Sequence, residues 1–173
     1  GSKGVALIVH EYHKEALESY RCVSERLLSA DLKLRGTKVT IIVVYMPDTS
    51  YSDEEVADMY TKLTKEVRRA KKKHRNVIIQ GDFNAVIGSR DDGEEDIHGG
   101  WTLESERNDR GKKLMNWAST YNMKFENTFF QKGDYATHVR KDSRRVIDYV
   151  LTAFSNTMTC INMETKSLPM KSD

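Results

Sequence analysis

The sequence predicts an α/β fold in which a mixed β-sandwich is flanked by helices. Apolar, β-branched runs at 4–9, 39–45 and 76–79 predict buried strands. Apolar residues at helical spacing predict a helix over 53–73, between the second and third of these strands. Because strands come first and strand–helix–strand alternation follows, a mixed sandwich is favoured over a doubly wound parallel sheet.

The N-terminal half is predicted to contain a hairpin followed by a capped helix. Residues 22–34 partly alternate between apolar and polar, and a turn at 36–37 joins them to the 39–45 strand. Ser52 or Asp53 is placed to cap the helix that follows, because short polar side chains accept hydrogen bonds from the amides of a first turn.

The C-terminal half begins with a polar, glycine-rich loop over 88–107, which precedes a second amphipathic helix over 109–120. Loops of this length are usually functional or disordered. Further strands are predicted at 123–125, 134–139, 146–151 and 157–165, with a basic turn joining the middle two.

Composition narrows the classes of protein that fit. The chain has 173 residues, which suits one domain with its own core better than two. No apolar run approaches the roughly 20 residues that cross a bilayer, and the N-terminus does not resemble a signal peptide, so no membrane partner is expected. Cys22 and Cys160 lack metal-ligand spacing, which favours two buried free thiols in a reducing, intracellular compartment, nuclear or cytoplasmic.

Two basic blocks, at 68–75 and 140–145, stand out although the net charge is only +2. Such blocks attract polyanions. They also complete helix ends, where Lys and Arg interact favourably with the negative pole. The helix-end interpretation is favoured for the first block, because a strand follows at once, and both interpretations stay open for the second.

Polar residues follow the 76–79 strand directly, in the segment Gln-Gly-Asp-Phe-Asn at 80–84. Strand periodicity would place Asp82 and Asn84 on the same side of the chain. They would lie at the carboxyl end of a strand, where open α/β folds tend to build their sites. Alone, this segment also fits an ordinary Gly-Asp turn.

Three other segments also place polar groups at strand ends. Tyr45 ends the 39–45 strand, Asp148 interrupts the apolar run 146–151, and Asp173 is the last residue. A carboxylate inside an apolar run requires a partner, because burying an unpaired charge is costly. Three carboxylates with a tyrosine and an asparagine are suited to Mg²⁺ and phosphate.

These motifs resemble those of the endonuclease/exonuclease/phosphatase superfamily, which contains DNase I and the apurinic/apyrimidinic endonucleases. Gly-Asp-Phe-Asn at 81–84, Tyr-x-Pro at 45–47, Ile-Asp-Tyr at 147–149 and Ser-Asp at 172–173 carry the resemblance. With Asn-Asp-Arg-Gly at 108–111, their order resembles the endonuclease domain of RTE-like non-LTR retrotransposons and the craniofacial-development (Bucentaur-type) proteins derived from them. The similarity covers nearly the whole chain and implies a single DNase I-like domain.

The resemblance implies hydrolysis of DNA phosphodiester bonds that depends on Mg²⁺ or Mn²⁺. Asp82 resembles the carboxylate that handles the nucleophilic water or the leaving-group proton, and Asn84 the carboxamide that holds the water and the phosphate. Tyr45 resembles a phosphate-contacting hydroxyl. Asp148 resembles the residue that orients a catalytic His, and Asp173 a carboxylate near the metal.

Contacts to the substrate are expected from four further residues. The arginines of the second basic block would bind phosphates, and the loop tryptophan would stack on a base or fold back onto the domain. An asparagine opens the Asn-Asp-Arg-Gly segment. These residues are Arg144, Arg145, Trp101 and Asn108.

The chain also departs from the family pattern. The family's Ser-Asp motif continues with a His, and a segment carrying an Asn and a metal-binding Glu precedes the strand matched by 4–9. The domain is therefore expected to be truncated at both ends, with weak metal binding and weak or no activity in this fragment. The family's usual Thr-Trp is Thr137-His138 here, and a surface or strand-edge position is expected for His138.

Two alternative functions remain open from the sequence. One is a catalytically inactive, domesticated module that binds DNA or protein. The other is a superfamily member that acts on inositol phosphates, sphingomyelin or poly(A). A homodimer through an exposed sheet edge is a further expectation, because an incomplete sheet leaves backbone groups unpaired.

Overall fold

The computed structural model describes residues 4–131, 133–140 and 143–164. In these ranges eight strands form, namely β1 (Leu17–Ser24), β2 (Leu27–Leu34), β3 (Thr37–Tyr45), β4 (Asn76–Asp82), β5 (Met123–Phe125), β6 (His138–Arg140), β7 (Ser143–Arg145) and β8 (Asp148–Ala153). The helices described are α1 (Asp53–Lys72) and α2 (Asp109–Thr120), with 3-10 turns at Glu11–Ala16 and Glu126–Phe129.

The strands build a mixed sheet in the order β1-β2-β3-β4-β8-β5, and β6 and β7 form a separate ribbon. The β3–β4 pair is parallel, and the other ladders are antiparallel. The predicted α/β class with flanking helices is therefore confirmed. The predicted helices and the strands at 39–45, 76–79 and 123–125 are found with small shifts at their ends.

The core lies between one face of the sheet and the two helices. The buried side chains recur at every second strand position and at helical spacing in α1 and α2. They include Leu27, Ile42, Ile79 and Leu151 from the strands and Leu63, Val67, Leu114 and Trp117 from the helices. The indole Nε1 of Trp117 donates to Thr64 Oγ1 at 2.9 Å, which ties α2 to α1.

The opposite face of the sheet is less covered. The chain from residue 7 to 16 borders a groove of about 940 Å³ over this face, together with Leu32, Ile41 and Met158. The strand predicted at 4–9 is wrong: burial alternates there with period two, but no described strand pairs with it. Alternating burial shows that the chain is extended and lies on a surface. It does not show that a neighbouring strand forms hydrogen bonds with it.

Two turns differ from the predictions in the first hairpins. Residues 22–34 are not one strand, because the chain reverses at 25–26 between β1 and β2. No Gly or Pro marks this turn. The β2–β3 turn lies at Arg35 and Gly36, one residue earlier than predicted, and both have positive φ (48° and 85°), as a type I′ turn requires.

The predicted pairing of 134–139 with 146–151 is wrong. β6 pairs instead with β7, and β8 enters the main sheet between β4 and β5. An apolar strand such as β8 is more stable with ladders on both sides than at an edge. The described part of the predicted 157–165 strand, 157–164, is not in a strand. Residue 165 lies outside the described residues.

The first basic block is largely tied into the fold. The Arg69 guanidinium forms an ion pair with the buried Asp31 at 2.8 Å and another with Glu66 at 2.8 Å. Arg75 contacts Asp31 at 3.7 Å. Lys71 Nζ donates to a backbone carbonyl of the α2 end, that of Tyr121, at 2.6 Å. Arg69 and Lys71 lie in the last turn of α1, as the helix-end interpretation predicts, but Arg69 and Arg75 form ion pairs with a buried carboxylate, which a solvated helix end does not predict.

The cysteines are free but are not buried as predicted. Cys22 is exposed on β1, and Cys160 is partly exposed. Within the described ranges, neither helix combines the length and the apolarity needed to cross a bilayer.

Candidate functional site

The site begins where three strands bring their polar ends together. β3 and β4 run parallel and end side by side, so that Tyr45 lies opposite Asp82. β8 runs antiparallel to β4 and begins at Asp148, which also lies opposite Asp82. The order of strands in the sheet therefore brings together three residues that are far apart in sequence.

Gly81 allows this strand end to form. Its φ is +145°, and a Cβ there would lie 1.8 Å from the carbonyl oxygen of Val44. A side chain is therefore excluded at this position. Two backbone hydrogen bonds fix the peptide unit that joins Asp82 to Phe83. The Asp82 carbonyl accepts from Met46 N, and Phe83 N donates to Ile147 O, both at 2.8 Å.

Asn84 is held in a conformation that few side chains adopt. Its φ is 47°, in the left-handed region that Asn tolerates better than most residues. Its backbone N–H donates to Asp82 Oδ1, and its side-chain Nδ2 donates to Met46 O, both at 2.8 Å. The two polar residues of the motif are thus fixed relative to each other and to the end of β3.

A pocket of about 540 Å³ opens over these residues. Tyr45, Asp82 and Asn84 line it, as do the predicted substrate-binding residues Asn108 and Arg145. The other lining residues are Asp48, Thr49, Val86, His138, Ser143 and Ile147. One wall is therefore rich in carboxylate and carboxamide groups, and the β6–β7 ribbon supplies basic groups to the other.

Asp148 adjoins this pocket and faces a second one. It lines a neighbouring cavity of about 610 Å³ with Thr137 and Asn162. Its backbone N–H donates to Thr137 Oγ1 at 3.1 Å, and its carbonyl accepts from Asn127 Nδ2 at 3.2 Å. The predicted role of Asp148 in orienting a catalytic His stays a prediction.

The surroundings of Asp82 favour its protonated form. Burial raises the pKa of this carboxyl above its usual range, and the negative charges of Asp148 and Asp48 raise it further. The Asn84 N–H bond and the positive charge of His138 act in the lowering direction. The net pKa is raised, which makes ionised Asp82 a better proton acceptor.

Asn108 has a structural task besides lining the pocket. Its Oδ1 accepts from Gly111 N at 2.7 Å, which caps α2, and from Val86 N at 3.2 Å. A Cβ on Gly111 would lie 1.9 Å from Val86 O, so the start of α2 touches the loop after Asn84 directly. Contact of Asn108 with substrate stays a prediction.

Besides Asp148, three further predicted site residues are not placed in this pocket. Arg144 forms an ion pair with Asp134 at 2.5 Å on the surface. Trp101 is 43% exposed, and its backbone N–H donates to Thr128 O. Of the residues described, neither of the two lines the pocket. Asp173 lies outside the described residues.

Sequence patterns alone did not place two basic residues of the site. His138 was expected at the surface or at a strand edge; it lies in the two-stranded β6–β7 ribbon and lines the pocket as the cross-strand partner of Arg145. Arg26 is 6% exposed and lies with its guanidinium carbon 4.7 Å from the ring centres of both Tyr45 and Tyr51. The placement of His138 depends on strand register and that of Arg26 on the turn between β1 and β2, and composition and motif spacing specify neither.

The donor groups of the pocket fit a hard cation. Within the described ranges, no group of three or more His, Cys, Asp or Glu side chains is arranged to hold a metal by itself. Mg²⁺ is commonly bound by one or two carboxylates, with water and substrate phosphate completing its shell. Asp82, Asp48 and the carboxamide of Asn84 supply such oxygens at one wall.

The sheet order, the helices on one face and the polar strand ends define a DNase I-like α/β domain of the endonuclease/exonuclease/phosphatase type. The model of a family described as endonuclease-reverse transcriptase matches residues 39–173, and the chain belongs to this family. Membership supports an activity of the nuclease or phosphodiesterase type.

A curated relative is similar in sequence. Craniofacial development protein 2 of Bos taurus is 30% identical over 130 residues, which are 75% of this chain and 21% of that protein. The chain therefore spans about a fifth of the length of the curated relative it matches.

Solved structures show the same fold. The endonuclease domain of TRAS1, a telomere-specific non-LTR retrotransposon, aligns with a TM-score of 0.51 and 15% identity, over 74% of this chain and 48% of that one. A 3′-5′ exonuclease from Neisseria meningitidis aligns with a TM-score of 0.51 and 16% identity, over 75% and 53%. At such identities the likeness concerns the fold, of which this chain spans about half.

Proposed function

We propose that this domain hydrolyses phosphodiester bonds of DNA, with Asp82 accepting a proton from the attacking water. The observation that carries the proposal is the convergence of Tyr45, Asp82 and Asn84 in a pocket that Arg145 also lines. Phosphodiester cleavage requires an activated water, a fixed phosphate and positive charge near the phosphate oxygens. The pocket contains a group suited to each task.

Each residue acts through its own chemistry. The raised pKa of Asp82 makes its carboxylate a stronger base than an exposed one. The Asn84 carboxamide and the Tyr45 hydroxyl hold the phosphate and the water by hydrogen bonds, and the Arg145 guanidinium neutralises phosphate charge. The oxygen of water bonds to phosphorus, and the bond from phosphorus to the leaving oxygen breaks.

Mg²⁺ or Mn²⁺ is the cofactor that the oxygen donors suit. Asp48 and the Asn84 carboxamide would hold it, with water and substrate supplying the other ligands. When bound, the cation would neutralise charge that develops on the phosphoryl oxygens.

DNA as the substrate is supported by the relatives. One is an endonuclease domain of a retrotransposon, and another is a 3′ phosphatase from Neisseria whose structure holds a product DNA hairpin. The basic β6–β7 ribbon beside the pocket suits the phosphate backbone of a polyanion. This chain spans only part of each of these relatives. Any activity of a full-length protein that contains this domain is therefore also a proposal.

Nicking of supercoiled plasmid in the presence of Mg²⁺ tests the function. We expect weak but measurable nicking by the wild-type chain, lowered about 100-fold by Asp82→Asn, since the base is lost while the side-chain volume is kept. Asp92→Asn, in the exposed loop, is the matched control and should nick at the wild-type rate. Equal nicking by wild type and Asp82→Asn, or none by wild type with either metal, would show the proposal to be wrong.

A second copy of the chain is the protein partner that we propose. β1 ends the sheet, and its outer edge pairs with no described strand. Tyr20 on β1 is 68% exposed. Unpaired strand edges pair readily with another chain, and charge on the edge opposes this. Sedimentation velocity should show a dimer that Tyr20→Lys weakens, and a monomer at all concentrations would contradict the proposal.

A further inference from the structure

His138 and Arg145 form the basic wall of the pocket. They are direct cross-strand partners in the β6–β7 ribbon, and both line the cavity that holds Asp82 and Asn84. Directly opposed residues of an antiparallel pair lie on the same face, so the imidazole and the guanidinium enter the pocket side by side. The side chain of His138 is half-buried.

These two basic groups differ in what they can do. A guanidinium keeps its charge throughout the physiological pH range, so Arg145 can bind a phosphate but cannot give up a proton. An imidazole changes its charge close to neutral pH, and it is the usual proton-transfer group in enzymes. A pocket with one of each can fix the phosphate with the first and transfer a proton with the second.

Two carboxyls and a guanidinium line the pocket together with His138. Asp82 at the end of β4 and Asp48 after β3 lie on the acidic wall, and Arg145 lies beside it on β7. The Tyr45 hydroxyl, from β3, completes the titratable groups of the pocket among the described residues. Burial keeps the pKa of the Asp82 carboxyl raised overall, and the positive charge of His138 acts against this in the lowering direction.

We infer that His138 is the proton donor to the leaving oxygen when the phosphodiester bond breaks. The inference rests on the phosphodiesterase function proposed above. The water oxygen bonds to phosphorus while the bond from phosphorus to the 3′ oxygen breaks, and its electron pair stays on that oxygen. The 3′ oxygen takes the imidazolium proton, and Asp82 holds the proton from the water. Exchange of both groups with solvent restores the starting state.

The alternative is that His138 supplies only positive charge or packing. The leaving group separates these roles. A 3′-oxygen leaves as a strongly basic alkoxide and needs a proton, whereas a 3′-sulfur leaves as a stable thiolate and does not. DNA with a bridging 3′-phosphorothiolate is therefore a probe of proton donation at an otherwise identical site.

The test compares wild type, His138→Gln and His138→Lys on DNA with an ordinary linkage and on DNA with the 3′-phosphorothiolate. We expect His138→Gln to slow cleavage of the ordinary linkage about 100-fold and to leave cleavage of the sulfur linkage near the wild-type rate. His138→Lys should fail to restore the ordinary cleavage. The matched control is His13→Gln, an exposed residue outside the pocket, which should behave as wild type on both substrates.

Several outcomes would overturn the inference. They are equal slowing of both substrates by His138→Gln, no slowing of either, and rescue of the ordinary linkage by His138→Lys. A wild-type chain that cleaves neither substrate overturns both the proposed function and the role of His138. If wild type cleaves and only the results for the His138 variants differ from those expected, the role of His138 alone is overturned.

A second measurement does not need activity. The carboxyl pKa of Asp82, followed by ¹³C NMR, should rise in His138→Gln, because the positive charge beside it is removed. It should not change in His13→Gln. An unchanged Asp82 pKa in His138→Gln would show that the two groups do not face each other, and would overturn the inference.

Discussion

Asp82 is the residue at which most influences of the site meet. Burial and two neighbouring carboxylates favour its neutral form, and a backbone amide and an imidazole favour its charged form. The sequence motif predicted a carboxylate at a strand end. It did not predict the balance of these influences, because two of the neighbours, Asp148 and His138, come from β8 and β6, which lie far along the chain.

The raised pKa of Asp82 leads to a prediction for the pH profile. Because Asp82 must be ionised to accept a proton, nicking should increase as pH rises through its raised pKa. Asp148→Asn removes one repulsive charge, which should lower the Asp82 pKa and move the acidic limb of the profile to lower pH. Nicking rates measured across pH check this, with Asp92→Asn as control. An acidic limb that stays in place would contradict the electrostatic explanation.

Tyr149 is the buried hydroxyl that joins the motif loop to β8. It donates towards Val146 O at 2.7 Å and Ala85 O at 3.1 Å, and it accepts from Ile87 N at 3.4 Å. Tyr149→Phe should lower the free energy of unfolding by about 1–3 kcal/mol, because buried backbone groups lose their partner. Urea unfolding measures this. Tyr12→Phe, at an exposed site, should have no effect. Equal stability of Tyr149→Phe and wild type would contradict a stabilising role for the Tyr149 hydrogen bonds.

At the scale of elements, the helices were the most predictable. α1 begins with a capping box, in which Ser52 and Glu55 bond each other's backbone amides, and its apolar positions recur at helical spacing. Asn108 caps α2 in a similar way. The start of each helix is set by capping residues within the same few positions of the chain. The helix starts can therefore be predicted from local sequence.

The strands were predictable only where both faces are constrained. β1 was missed because it is an edge strand with exposed residues on both faces, so no alternation appears. The partner of β8 was missed because pairing is set by competition among distant strands. For the site, this means that Tyr45, Asp82 and Asn84 were predictable as strand ends, whereas the approach of His138 required the register of a ribbon.

The contact between α2 and the motif loop gives a prediction for Gly111. In an isolated helix, Gly→Ala is stabilising by about 1 kcal/mol. Here the new Cβ would lie 1.9 Å from Val86 O, so Gly111→Ala should instead destabilise the domain and slow nicking. Thermal unfolding and the nicking assay measure the two effects. Gly133→Ala, where a Cβ meets nothing within 4 Å, is the control. A more stable Gly111→Ala variant would contradict the prediction, because it would show that the loop containing Val86 moves aside at little cost.

At the scale of the whole molecule, a buried ionic cluster joins β2 to α1. Burial alone would raise the pKa of Asp31, but hydrogen bonds from Arg69 and Thr40 and the charges of Arg69 and Arg75 outweigh it and lower the pKa to about 2. The carboxyl has a pKa of about 3.9 in an unfolded chain. Its stabilising contribution is therefore complete above the unfolded value and is lost as pH falls towards 2.

Asp31→Asn should remove this dependence. We expect a loss of about 3 kcal/mol in the free energy of unfolding at neutral pH, because Arg69 and Arg75 lose the buried carboxylate that they share, although each keeps one other acidic partner. The difference from wild type should shrink as pH falls from 5 to about 2. Urea unfolding at several pH values measures it. A constant difference across that range would mean that Asp31 acts through packing alone.

The insertion of β8 beside β4 has a topological consequence. The chain leaves β4 at Asp82 and enters β8 at Asp148, directly opposite the point of departure. The segment between them is a closed excursion whose two ends are held in register by the sheet, and within it β5 rejoins the sheet beside β8. Insertions and deletions at its exposed tips, such as 91–96, need no compensating change elsewhere in the ladder. Changes of length or sequence at these exposed tips would therefore leave Tyr45, Asp82 and Asn84 in their places.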